Sequence, residues 1–344
     1  MGYRTFLVHV DDSEQSERRL KVAAQLARAF CGELEGVYVT STREMTPFTS
    51  AILPDSVVEN RLRESGDAQA RAEERFRAAV AAEHLTAARF TAPAGAPIDA
   101  AILHTCYADI AVVGQPLPDD AHAAFANDLV HGMLMGAGRP VLLVPHFGQF
   151  PTVGTNVLVA WKETRESARA VCDALPFLKR ASKVAVMSIS EPGDGSVRES
   201  QSDAGIAAYL ARHDIEAKVR HEIAEDIDVG NLLLSRAADL SCDLIVMGAY
   251  RRPRISEPVL GGATRLMLQA MTARLVGVAA ELAPPDTGQY RADMIANGRI
   301  ALADAAVVWC TRPNKACPET GAGSSRSART CPLPKERISR RAHP

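Results

Sequence analysis

Short apolar runs alternate along this chain with longer stretches in which apolar positions recur every three or four residues. Phe6-Leu7-Val8-His9-Val10 has the form of a buried strand, a brief apolar run bounded by turn residues. Ser13 then opens a helical pattern to about Phe30, with Leu20, Ala23, Ala24, Ala27 and Phe30 on one face and Gly32 as its stop. A strand over Leu34–Thr40, a loop over 41–54 and a long helix over Val57–His84 follow. The alternating charge of that helix implies one solvated face. The spacing next predicts a strand near 87–92, a helix from Pro97 to Tyr107, a strand at Ile110–Val113, a helix across Phe125–Met135 and a strand at Val141–Val144.

The order then repeats. Val157-Leu158-Val159-Ala160-Trp161-Lys162-Glu163-Thr164 echoes the opening block Phe6 to Ser13, and Cys242-Asp243-Leu244-Ile245-Val246-Met247-Gly248 echoes Ala108-Asp109-Ile110-Ala111-Val112-Val113-Gly114. The period of roughly 140 residues is about one domain length. Strands are expected at 157–161, 183–189, 215–223, 244–247 and Leu275–Val278, with helices at 164–179, 197–213, 229–240 and 262–271. Strands alternating with helices imply parallel sheets covered on both faces. The expected fold is α/β, with two tandem doubly wound, Rossmann-like domains of five parallel strands each, at 1–147 and 154–280. Pro151 and Gly154 suit a linker between them. Ligands of such folds sit at the carboxyl ends of strands where strand order reverses. That puts Asp11–Ser13, Lys162–Thr164, Gly114 and Gly248 on candidate binding rims.

The run Val159 to Arg169, the stretch Ala237 to Tyr250 and the block Val259-Leu260-Gly261-Gly262-Ala263-Thr264-Arg265 resemble the universal stress protein (UspA) family in its tandem, two-domain bacterial type. The resemblance implies an acidic residue after the first strand that contacts adenosine. It also implies a G-x2-G-x9-G-[ST] loop after the fourth strand that wraps phosphates, where glycines let backbone amides approach the oxygens. The first half keeps Asp11 and Gly114, but Leu117 stands at the second glycine position between Pro116 and Pro118. The second half keeps Gly248 and Gly261, while Arg251 replaces the second glycine, Gly262 the hydroxyl residue and Lys162 the acidic one; Thr264 lies nearby. Each half thus holds part of a nucleotide site. Asp11 is either an adenosine contact or an ordinary turn residue before a helix. Arg251 and Arg252 are either a phosphate clamp or a solvated basic loop. Gly261-Gly262 serves a turn before the last helix, a phosphate cradle, or both.

Composition narrows the field of functions. A hydrophobic fraction of 47%, a charged fraction of 23% and a net charge of −2 describe an ordinary globular chain with no electrostatic footprint for nucleic acid. No apolar segment is long enough for a membrane helix, and the N-terminus lacks the apolar core of a secretion signal. Seven scattered cysteines without a CxxC pair argue against zinc and dithiol chemistry, and the expected compartment is the cytoplasm. Cys242 beside Asp243 reads as a buried thiol at a strand start. The sequence shows no metal-ligand cluster and no Ser/His/Asp order with nucleophile-elbow spacing, so catalysis is not expected. The leading expectation is a stress-response regulatory or protective binding protein with weakened nucleotide sites and no metal. ATP is the one cofactor the resemblance raises. The alternatives are an ATP-binding or slowly hydrolysing module using Gly248, Arg251 and Gly261, and a protein-interaction scaffold. The two domains are expected to pair within the chain through their final strands, with a homo-oligomer or another protein as further partners.

The family pattern stops at about Thr272. Residues 281–344 carry Pro284-Pro285, Cys310, Cys317, Cys331 and a Ser/Arg-rich end without an apolar period, which reads as disorder or as a frameshifted extension. Truncation after Glu281 should therefore leave the melting temperature within about 1 °C of the full chain; a loss of several degrees in a still monodisperse protein would show a packed tail.

Overall fold

The computed structural model describes residues 2–41, 53–117, 123–148, 150–190, 196–225 and 227–248. In its first half, β1 (Thr5–Val10), β2 (Glu33–Tyr38), β3 (Ala88–Thr91), β4 (Ile110–Gly114) and β5 (Val141–Val144) alternate with α1 (Glu14–Phe30), α2 (Asp55–Ala82), α3 (Pro97–Cys106) and α4 (Ala123–Gly136). The strands form one five-stranded sheet in the order β3-β2-β1-β4-β5, and every pair is parallel. In the second half, β6 (Asn156–Trp161), α5 (Arg165–Leu178), β7 (Lys183–Ser190), α6 (Ser196–Ala211), β8 (Ala217–Ile223), α7 (Val229–Asp239) and β9 (Leu244–Val246) give a four-stranded parallel sheet, β8-β7-β6-β9. Residues 6–10 and 157–161 lie in separate sheets. The expected helix at 262–271, the fifth strand at Leu275–Val278 and the tail fall outside the described residues.

Burial explains which runs became which strands. Phe6 to Val10, Ile110 to Val113 and Val141 to Val144 are all buried, as parallel strands covered on both faces must be. The edge strands β3 and β8 are largely exposed. Lys218, Arg220 and Glu222 on β8 supply charges that discourage pairing with another chain.

Helix ends follow local chemistry. Ser13 caps α1 by accepting from the Ser16 N–H, and Thr164 caps α5 by accepting from the Ser167 N–H. The stop of α1 differs from expectation. Cys31, not Gly32, takes the left-handed conformation at φ 53°. Gly32 is needed for a different reason: a Cβ there would meet the Arg4 carbonyl oxygen and the Phe6 ring at 2.8 Å.

Two equivalent carboxylates pin the two halves' central strands in register. Asp109, just before β4, accepts from the Arg4 and Thr5 N–H groups at 2.7 and 3.0 Å. Asp243, just before β9, accepts from Thr155 and Asn156 at 3.1 and 2.9 Å. Each satisfies backbone donors at the start of its sheet's central strand that no neighbouring strand reaches. Between the two sheets lies an aromatic cluster. The Tyr3 ring centroid is 5.5 Å from Phe30 and 5.4 Å from Phe177, and Phe30 and Phe177 are 5.4 Å apart edge to face. The Tyr3 hydroxyl donates to the Asp173 carbonyl, and the Arg180 guanidinium sits 4.7 Å over Phe30.

Replacing Asp243, which is buried, by Ala removes two charge-assisted bonds and strands two backbone donors. A loss of about 2–4 kcal/mol in urea denaturation is expected, with Asp109→Ala close to it. A cost under about 0.5 kcal/mol would show that the pin contributes nothing.

Candidate functional site

β2 lies on one side of β1 and β4 on the other, so the connections after β1 and β4 diverge to opposite faces of the sheet. At their carboxyl ends a cleft of about 130 Å³ opens. It is lined by His9, Arg19 and Gly114 at the strand ends, by the apolar Phe125, Leu129 and Val130 of α4, and by the polar Asp12, Gln15, Thr40 and Ser41.

The centre of this site is Arg19, only 3% exposed. α1 carries it on the helix's buried face, between Ser16 and Leu20. Its Nε donates to the His9 carbonyl at 2.6 Å, and Nη2 donates to Asp11 Oδ2 at 3.0 Å and to Ser16 Oγ at 3.2 Å. The other Asp11 oxygen accepts from the Ser13 N–H at 3.0 Å and from its hydroxyl at 2.5 Å. Most of the acceptor capacity of this carboxylate is therefore used within the protein. Burial alone would raise the Asp11 pKa. The Arg19 cation foremost, with His9 and the Ser13 bonds, outweighs burial and holds the carboxyl well below its ordinary range. His9 is also buried and donates from Nε2 to the Val39 carbonyl at 2.9 Å. Burial first and the Arg19 cation second lower its pKa from 6.5 to about 4.

Gly114 belongs to the same arrangement. A Cβ there would stand 2.6 Å from Arg19 Nη1. The missing side chain is what lets the guanidinium lie across the end of β4. The loop is fixed from outside as well: Arg71 pairs with Asp12 at 2.9 Å, and Arg75 donates to the carbonyls of Asp12 and Ser13.

The second sheet keeps the frame and loses the charges. At the places of His9, Asp11 and Arg19 the repeat puts Ala160, Lys162 and Ala170, and Lys162 is exposed. Gly248 faces the first turn of α5, where a Cβ would meet the Glu166 carbonyl carbon at 2.6 Å and the Ser167 nitrogen at 2.7 Å.

With this geometry in view, comparison with known proteins is informative. Residues 2–104 match the Universal stress protein family. The universal stress protein match runs from β1 into α3 and so takes in His9, Asp11, Ser13 and Arg19. No curated protein matches the chain. A solved universal stress protein from Archaeoglobus fulgidus DSM 4304 is 17% identical with a TM-score of 0.58; the likeness covers 80% of this chain and 96% of that one. A functionally unknown protein from Pseudomonas aeruginosa PAO1 is 14% identical with a TM-score of 0.52, covering 86% and 98%. These likenesses show the α/β fold.

Of the residues singled out by sequence, Asp11 and Gly114 meet in the cleft. Gly248 stands in the other sheet and does not join them. Arg251, Gly261, Gly262 and Thr264 lie outside the described residues. Burial pushes the Cys242 thiol up to about 11, with Asp243 adding to it, so it stays protonated at neutral pH. Arg19 was missed. The signal was an arginine at a core-facing position of an amphipathic helix, nearly two turns beyond its cap.

The lowered pKa of His9 makes stability pH-dependent. The folded value lies below the unfolded one, so the unfolded chain binds more protons between them. The contribution is complete above about pH 6.5 and is lost as pH falls towards 4. The unfolding free energy from urea denaturation should fall on acidification from pH 7 to pH 4.5, by no more than about 3 kcal/mol from this group. His9→Gln should flatten that slope; an unchanged slope in the variant would assign it elsewhere.

Proposed function

We propose that the chain is a stress-response binding protein of the universal stress type, regulatory or protective in role, whose nucleotide sites are weakened. One observation carries the reading. In the first-half cleft, the Asp11 carboxylate that the resemblance assigns to adenosine is held on both oxygens, by Arg19 on one and Ser13 on the other. The guanidinium that holds it rests on Gly114, the first position of the expected phosphate loop. The position of the cleft at the strand-order reversal and the family match over 2–104 support a binding role there. The apolar α4 residues and the polar Asp12, Gln15, Thr40 and Ser41 that line the cleft suit a small molecule with both apolar and polar parts. In the second half, Lys162 stands at the acidic position, and an ammonium cannot accept from ribose hydroxyls.

Thermal shift with ATP tests the proposal on the purified chain. A ligand at 100 times its dissociation constant stabilises by about 2.7 kcal/mol, so micromolar binding would be plain at sub-millimolar ATP. The wild type should shift by less than about 1 °C. The double variant Lys162→Asp with Arg251→Gly restores an acceptor and a permissive backbone, and should bind ATP more tightly. Micromolar binding by wild type with no gain in the double variant would overturn this account.

A further inference from the structure

The second sheet carries a polar constellation away from the cleft. Ser188 and Ser190 are two residues apart on β7 and so face the same side of the sheet. The parallel register sets His221 of β8 opposite Ser188. α6 crosses this face and supplies Asp203; it is tied to the sheet by the Trp161 indole N–H, which donates to Ser202 Oγ at 2.9 Å. Ser188 donates to Asp203 Oδ1 at 2.5 Å. The other carboxylate oxygen faces His221 Nδ1 at 3.8 Å, and Ser190 Oγ lies 3.2 Å from His221 Nε2. In the tautomer with its proton on Nδ1, His221 turns that N–H towards the carboxylate and the lone pair of Nε2 towards the Ser190 hydroxyl. Ser190 closes β7 at its carboxyl end, where α/β folds place their chemistry.

The duplication supplies a control. By strand register, the first sheet has Tyr38, Thr40 and Ala92 where the second has Ser188, Ser190 and His221. The shared fold does not require the imidazole or the pair of serines.

We infer that Ser190 is an activated nucleophile, with His221 as its base and Asp203 as the residue that positions the imidazole, in a site for acyl transfer from small esters. A serine beside a base that is itself oriented by a third group is the arrangement such chemistry needs. The 3.8 Å gap is within what tightens when substrate binds. In the step, Ser190 Oγ bonds to the ester carbonyl carbon as its proton passes to His221 Nε2. The carbon–oxygen bond to the leaving alcohol breaks, and that alcohol takes the proton. Water then attacks the acyl-serine, gives its proton to Nε2 and returns Ser190, so that ester and water become acid and alcohol. Ser188 contributes by anchoring the far oxygen of Asp203.

A fluorophosphonate probe on the full chain tests this, with fluoride leaving as the Oγ–P bond forms and the adduct mapped by mass spectrometry. The adduct is expected at Ser190, absent in Ser190→Ala, and formed at least about 100-fold more slowly in His221→Gln. Asp203→Asn should slow labelling and Asp203→Glu should restore most of it. No Ser190 adduct in the wild type, or an equal rate in folded His221→Gln, overturns the inference. Should His221→Gln fail to fold, Ser190→Cys decides. A thiol beside this imidazole should react with iodoacetamide at least about 10-fold faster than the exposed Cys106 and Cys172 of the same chain, and an equal rate overturns the inference.

Discussion

The reversal of strand order beside β1 is the constraint on which the first half is built. A parallel sheet needs a covered crossover between successive strands, and β2 and β4 flank β1 from opposite sides. The two connections therefore leave in opposite directions, and a hollow forms between them whatever the side chains are. What the side chains decide is how that hollow is used. Here α1 sends an arginine inward across it, and Asp11, Ser13, Ser16, the His9 carbonyl and Gly114 arrange themselves around the guanidinium. A buried cation of this kind is tolerated only with partners on its donors, so each of these residues is constrained by the others.

The second half shows the same backbone solution with the cation removed. Ala170 replaces Arg19, Ala160 replaces His9, and the glycine after the fourth strand lets the helix backbone approach rather than a side chain. The polar residues of that half gather elsewhere, on the face of β7 and β8 under α6. Both halves share the scaffold, with caps at Ser13 and Thr164 and pins at Asp109 and Asp243, and differ in where their polar chemistry lies.

Much of this was legible from residue order alone. Strands and helices recur at hydrophobic periods of two kinds, and the repeat blocks align Asp109 with Asp243 and Ser13 with Thr164 because those roles are local or act between adjacent strands. Asp11 and Gly114 fall on a rim because each stands at the carboxyl end of a strand beside the reversal of strand order. Their common dependence on Arg19 was not legible, because it arises from a long side chain reaching across the sheet end. Likewise Ser190, Asp203 and His221 come from three elements, and only sheet register and the crossing of α6 bring them together. Gly32 is the helix stop that residue type suggests, whereas Cys31 adopts the left-handed conformation and Gly32 answers a steric demand from Phe6 and the Arg4 carbonyl.

The aromatic cluster of Tyr3, Phe30 and Phe177 bears on how the chain is made. Tyr3 and Phe30 belong to the first sheet's half, while Phe177 arrives near the end of α5. On a ribosome the first half is finished well before Phe177 is added, so a nascent chain carries two aromatic rings with their partner still missing. Until then the two rings form an apolar ledge that lacks its third member. Completion of α5 covers it, so the second half acts as an intramolecular shield for the first.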